Sequence, residues 1–191
     1  MIYHITATLA GFLLDLLLGD PYWLPHPIRL IGNWISFLEK KLIGGKEEEK
    51  HTTPEQERAR GVVLVLAVLS CTVAVTAVIL LGAYRLNPYL GVIVETIMTY
   101  QILATKCLKV ESMKVYKELE KGDIEASRKA VSMIVGRDTE HLDETGVAKA
   151  AIETVAENTS DGVIAPMIYT AIGGPVLGFF YKAVNTMDSM V

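Results

Sequence analysis

The apolar and polar positions of this chain fall into long blocks, with none of the alternate-residue rhythm of half-buried strands. Residues 2–18 are almost continuously apolar, residues 61–83 carry no charge, and residues 89–105 and 163–181 are two further greasy stretches. A helix needs about 20 apolar residues to cross the ~30 Å hydrocarbon core of a bilayer, so the four blocks read as membrane spans. The pattern predicts an all-α fold: a polytopic helical integral membrane protein, with residues 1–191 as a single membrane domain. The polar blocks predict cytoplasmic helices. Ile28, Ile31, Trp34, Ile35, Leu38 and Leu42 recur at helical spacing opposite Arg29, Asn33, Ser36 and Lys40, an amphipathic helix over 28–42 suited to a membrane surface. Residues 107–158 predict three more. Two of them, 107–121 and 124–135, break at Gly122-Asp123 with Asp123 as N-cap, and their many charges read as a solvated hairpin without chemistry. The charged, unpatterned stretch 44–60 reads as an exposed linker.

Departures from the pattern carry further information. Asp15 is costly in lipid, so it should face protein or sit at the headgroups, and its place within one turn of the end of its span makes the second plausible. Pro21, Pro25 and Pro27 forbid a helix after Gly19, and Tyr22 and Trp23 beside them fit an interfacial aromatic belt. Glu95 and Thr99 share a face that should look into the bundle, with Lys106 as a possible partner for the carboxylate. Gly173-Gly174-Pro175 interrupts the last apolar block, which is therefore either a simple span or a re-entrant segment. Lysine and arginine crowd the 19–60 and 106–162 stretches, with only Arg85 between spans. The positive-inside rule then places both stretches in the cytoplasm and the N-terminus outside. A re-entrant 163–181 would bring Lys182 to Asp188 back to the same side.

Composition narrows the classes. The chain is 51% hydrophobic with 21% charged residues and a net charge of −4. No basic tract is interleaved with aromatics, which argues against nucleic acid as a partner. Cys71 and Cys107 have no metal-ligand spacing. The first apolar block lacks a basic leader and a small-x-small cleavage site, so it reads as a retained helix, not a signal peptide.

The densest candidate chemistry lies between Gly136 and Gly162. A helix from Thr145 to about Asn158 places Lys149, Glu153 and Glu157 on one narrow polar stripe of an otherwise apolar surface, with Asp161 just beyond its end. An ordinary solvated ladder of i,i+4 pairs explains that stripe as well as a site does. Read as a site, Glu153, Glu157 and Asp161, with Asn158, offer hard oxygens at a spacing suited to Mg²⁺. Arg29, Arg137 and Lys182 could hold phosphates. His26, fixed between two prolines, could act as a base or phosphate donor, or simply lie at the membrane surface. There is no P-loop, no nucleophile elbow and no His/Cys zinc spacing.

Several stretches in order resemble one family. They are Gly19-Asp20-Pro21 with Pro25-His26-Pro27-Ile28-Arg29, then Val135-Gly136-Arg137-Asp138-Thr139, then Glu153 through Pro166, then Tyr181 through Met190. Together they are similar to the adenosylcobinamide-phosphate synthases, the CbiB/CobD family of cobalamin biosynthesis. The resemblance implies a multi-pass enzyme of the cell membrane with its active face in the cytoplasm. It would form an amide between adenosylcobyric acid, the corrinoid substrate, and aminopropanol phosphate or a related amino alcohol, using ATP and Mg²⁺. His26, Glu153 and Glu157 would be catalytic; Arg29, Arg137, Asp138, Asn158, Lys182 and Asn185 would bind substrate or phosphate; Glu153, Glu157, Asp161 and Asp188 would hold the metal. The family's chains run longer, so the partners implied are both substrates, membrane lipid, and either further copies or a C-terminal part. Two other readings are an AmpE-type membrane sensor without ligase activity and, on Glu95 and the broken last block, a transporter.

Overall fold

The computed structural model describes residues 1–21, 25–44 and 53–190, and among these every regular element is helical. The helices are α1 (Ile2–Leu18), α2 (Pro27–Leu42), α3 (Pro54–Leu86), α4 (Pro88–Ile102), α5 (Thr105–Glu120), α6 (Ile124–Ser132) and α7 (Glu144–Thr159). A π-helical turn, Ser160–Ile164, leads into α8 (Ala165–Met190). By length and composition two helical runs, Pro54–Leu86 and Glu144–Met190, are long and apolar enough to cross a membrane, the second of them interrupted at Gly173-Gly174; α1 is apolar but shorter. The aromatic pair Tyr22 and Trp23 and residues 45–52 of the expected linker lie outside the described residues. The end of that linker is helical, however. Thr53 and Gln56 form a reciprocal capping box with Pro54 at the first helical position, which starts α3 well before its apolar part.

The bundle is built on α1 and α4, which run parallel and in register. The buried face of α1 is Ala7, Gly11 and Asp15, small residues at every fourth position that let the α4 backbone come close. A Cβ at Gly11 would lie 2.6 Å from Thr99 Cβ and 2.8 Å from the Thr96 carbonyl oxygen. The turn at Asn87, whose Oδ1 accepts from Tyr89 N at 2.8 Å, sends α3 antiparallel along α4. Glu95 faces inward as expected, but its partners are His4 and the Tyr84 hydroxyl, not Lys106. Lys106 instead donates to the Leu17 carbonyl at the opposite end of the bundle.

Of its two expected settings, Asp15 takes the first and faces protein. It is fully buried, and its Oδ2 accepts from Thr105 N at 2.8 Å. The α5 N-terminus has no cap of its own, so a carboxylate from α1 supplies one across the bundle. Asp15→Ala should therefore cost about 1–3 kcal/mol, because it orphans a buried N–H and removes a favourable helix-end charge. The check is a lower unfolding midpoint in detergent, with Asp15→Glu less affected.

The last apolar block resolves as a helical hairpin. Backbone at Gly173 (φ −131°, ψ 22°) and Gly174 (φ 66°, ψ −168°) is non-helical. The second of these conformations favours a residue without a Cβ. The rings of Tyr169 and Tyr181 lie 5.0 Å apart, although 12 residues of straight helix would separate them by about 18 Å. Tyr181 also reaches back to Asp161 Oδ1 at 3.3 Å. The tip of the hairpin is held by His4 Nε2, which donates to the Ala171 carbonyl at 3.1 Å. The returning limb runs to Met190, beyond the expected end at residue 181, and packs Ala183 and Met187 against Leu64 and Val68 of α3 and Ile35 and Leu38 of α2. The amphipathic α2 thus lies on α3 and α8, while Leu30 and Phe37 remain exposed. A separate core of Val115, Val131, Val147 and Ala150 joins α5, α6 and α7 into a three-helix unit at the end of the bundle where the chain returns.

Candidate functional site

Three helix ends and one loop meet where α1 stops. Gly19 takes φ 65°, and its carbonyl accepts from the Tyr100 hydroxyl of α4. Gln101 Nε2 holds the Pro25 carbonyl at 3.4 Å. Between these ties the prolines keep the chain out of a helix until Pro27, where α2 can begin. His26 caps that start: its Nδ1 accepts from Ile28 N at 3.3 Å. With Nδ1 acting as acceptor, the proton of the neutral ring sits on Nε2, which faces Asp20 Oδ1 at 3.4 Å.

A cleft of about 480 Å³ opens in front of this pair. Asp20, His26 and Arg29 form one wall; Lys106, Glu111 and Lys114 of α5 form the other; Lys182 arrives from the returning limb of α8. Glu111 and Lys114 pair at 2.6 Å. Asp161 lies next door, hydrogen-bonded by Tyr181, and both Asp20 and Asp161 are within electrostatic reach of the Lys182 ammonium. Cys107 also lines the cleft. Burial first, and then the carboxylates of Asp20, Glu111 and Asp15, push its thiol up, so it is a protonated wall and not a nucleophile at neutral pH.

The structure therefore gathers His26, Arg29 and Lys182 into one cleft with Asp161 beside it. Arg137 and Glu153 pair with each other at 2.8 Å, about half exposed, with Lys149 at 3.9 Å from the same carboxylate. Asp138 turns its own loop, accepting from Glu140 N at 2.9 Å. Asn158 donates to the Thr154 carbonyl at 3.0 Å, and Glu157 is exposed on α7. Asn185 is half-buried and Asp188 exposed near the end of α8. None of Arg137, Asp138, Glu153, Glu157, Asn158, Asn185 or Asp188 is among the residues that line the cleft. Among the described residues no three His, Cys, Asp or Glu side chains gather closely enough to hold a metal by themselves.

Four lining residues escape the sequence reading: Asp20, Lys106, Glu111 and Lys114. Lys106, Val110 and Lys114 recur every fourth residue, which marks one face of α5. That signal was present in a helix whose charges otherwise looked evenly solvated.

A family model described as CobD/Cbib protein matches residues 8–191. The chain is 44% identical to the cobalamin biosynthesis protein CobD of Pelobacter propionicus over 97% of its own length and 55% of that protein. It is 47% identical to those of Listeria monocytogenes (95% of this chain, 56% of the relative) and Clostridium perfringens (94% and 55%). The chain thus spans about half the length of the curated relatives it matches. No solved structure matches.

Proposed function

We propose a function for a chain that belongs to the CobD/Cbib family: it serves cobalamin biosynthesis by forming an amide between a corrinoid carboxylate and the amine of an amino-alcohol phosphate, driven by ATP. The observation that carries this reading is the meeting of Arg29, Lys106 and Lys182 with the Asp20–His26 pair in one cleft. Both substrates and ATP are anionic, and three cations gathered in one cleft suit them.

A carboxylate is a poor electrophile and must be activated before an amine attacks it. Transfer of the ATP γ-phosphoryl to the corrinoid carboxylate breaks the β–γ P–O bond and gives an acyl phosphate and ADP. Attack by the amine then breaks the acyl C–O bond and releases inorganic phosphate. Arg29 and Lys182 would orient the phosphates and offset charge gathering on them. Asp20, whose Oδ1 is buried with His26 Nε2 3.4 Å away, would take the amine proton beside that imidazole. Mg²⁺ favours one or two carboxylates completed by waters and phosphate oxygens, and Asp161 beside Lys182 is such a donor. The ion would shield the triphosphate.

The same reading makes the chain a multi-pass protein of the cell membrane with its active face in the cytoplasm. Its support is the apolar length of α3, the exposed leucines of α1, and a hairpin that returns Lys182 to the end of the bundle carrying the basic loops. Ser189→Cys in a background lacking Cys71 and Cys107 should resist an impermeant maleimide in intact cells and react in inside-out vesicles. Labelling of intact cells would overturn this topology.

The function is tested by incubating the detergent-solubilised protein, in this form and in any longer form of its gene, with adenosylcobyric acid, aminopropanol phosphate, ATP and Mg²⁺. Mass spectrometry should find the condensed product, and Asp20→Asn should lose it. A Glu153→Gln, Glu157→Gln variant reports whether the α7 stripe joins the chemistry. Absence of product from every form, with substrates intact, would sink the proposal.

A further inference from the structure

We propose that the face of α5 turned toward the end of α1 binds a phospholipid of net negative charge. Lys106, Lys109, Val110, Met113, Lys114 and Lys117 fall at i, i+3, i+4, i+7, i+8 and i+11, one stripe of the helix. With Leu16 of α1 they line a cleft of about 470 Å³. Its walls are the apolar side chains and the lysine stems, and long basic side chains in such a setting carry their charges out to the rim. Lys106 is engaged with the Leu17 carbonyl and Lys114 with Glu111. Among the described residues, neither Lys109 nor Lys117 has an acidic side chain within ion-pair distance.

What lies beyond the cleft identifies the occupant. Leu9, Leu13, Leu16 and Leu17 are exposed along one side of α1, and this apolar strip ends at the α5 stripe. An acyl chain can follow the leucines while its headgroup reaches the lysines. Inorganic phosphate would gain nothing from the apolar wall. A zwitterionic headgroup would set its own cation against the rim. The charge and the apolar track together therefore select an anionic lipid, whose interaction with basic residues at this depth is worth about fivefold in binding per lysine.

This inference rests on the membrane reading above, and the two are tested separately. The protein, in detergent, is titrated with phosphatidylglycerol, phosphatidylcholine or inorganic phosphate, and adducts are counted by native mass spectrometry. Phosphatidylglycerol should be retained preferentially, and Lys109→Gln with Lys117→Gln should weaken it about thirtyfold. Lys40→Gln with Lys41→Gln, an equal change of charge on α2, should leave it unchanged. Equal retention of phosphatidylcholine, full competition by inorganic phosphate, or unaltered binding by the Lys109/Lys117 variant would each overturn the site. Carbonate extraction of cell membranes reports on the reading beneath it. If the wild type washes out, the membrane assignment fails and the lipid site falls with it; if it stays in the pellet while lipid selectivity is absent, only the site fails.

Discussion

Lys182→Met should slow the proposed amide formation about 10²–10³-fold. The reason lies in how this side chain is delivered. The hairpin of α8 turns at Gly173-Gly174, and its second limb carries Lys182 back to the end of the bundle it left at Asp161. There it completes a cleft whose other cations come from α2 and α5. A cation in a confined site acts most strongly where charge gathers on transferring phosphate, which is a loss in kcat and not only in binding. Lys182→Arg restores the charge with a different donor geometry and should recover part of the rate. Steady-state kinetics with the amino-alcohol phosphate and ATP varied in turn would test this. A rise in KM for one substrate with kcat unchanged would reduce Lys182 to a binding group; unchanged kinetics would remove it from the site.

Gly11→Ala should destabilise the bundle by about 1–3 kcal/mol, a large effect for one methyl group. The added carbon meets Thr99 Cβ and the Thr96 carbonyl oxygen, which belong to a helix and cannot swing aside. Relief requires α1 and α4 to separate. That motion would loosen the contact between Asp15 and Thr105 below it and the pairing of His4 with Glu95 above it. The unfolding midpoint in detergent should fall markedly, whereas Gly61→Ala, where no atom lies within 4 Å of the new carbon, should leave it near wild type. An unchanged midpoint for Gly11→Ala would mean that the two helices are not locked together at this point.

Much of the architecture was legible because apolar blocks and helix caps are local signals. The blocks 2–18 and 61–83, the amphipathic 28–42, the N-cap at Asp123 and the α7 helix all appear close to their expected places. Exceptions arose where a local signal was misread or a distant group intervened. Thr53, Pro54 and Gln56 are a local helix start hidden in a charged stretch. Asp15, in contrast, fits protein or headgroups equally from its own stretch, because the helix end it caps begins ninety positions later.

The candidate cleft shows the same division. His26, Arg29, Lys182 and Asp161 could be picked out by residue type and by resemblance, since each stands in an unusual local context. The sequence by itself determined an all-helical chain, where most helices begin, and which residues break the apolar pattern. Only the tertiary structure decided that Gly173-Gly174 folds α8 back on itself, that Asp20 faces His26, and that one stripe of α5 closes the cleft. Helix propensity and burial act over a few neighbouring residues and can be read along the chain. Which stripe faces which partner depends on contacts between groups far apart in sequence, and no local pattern encodes them.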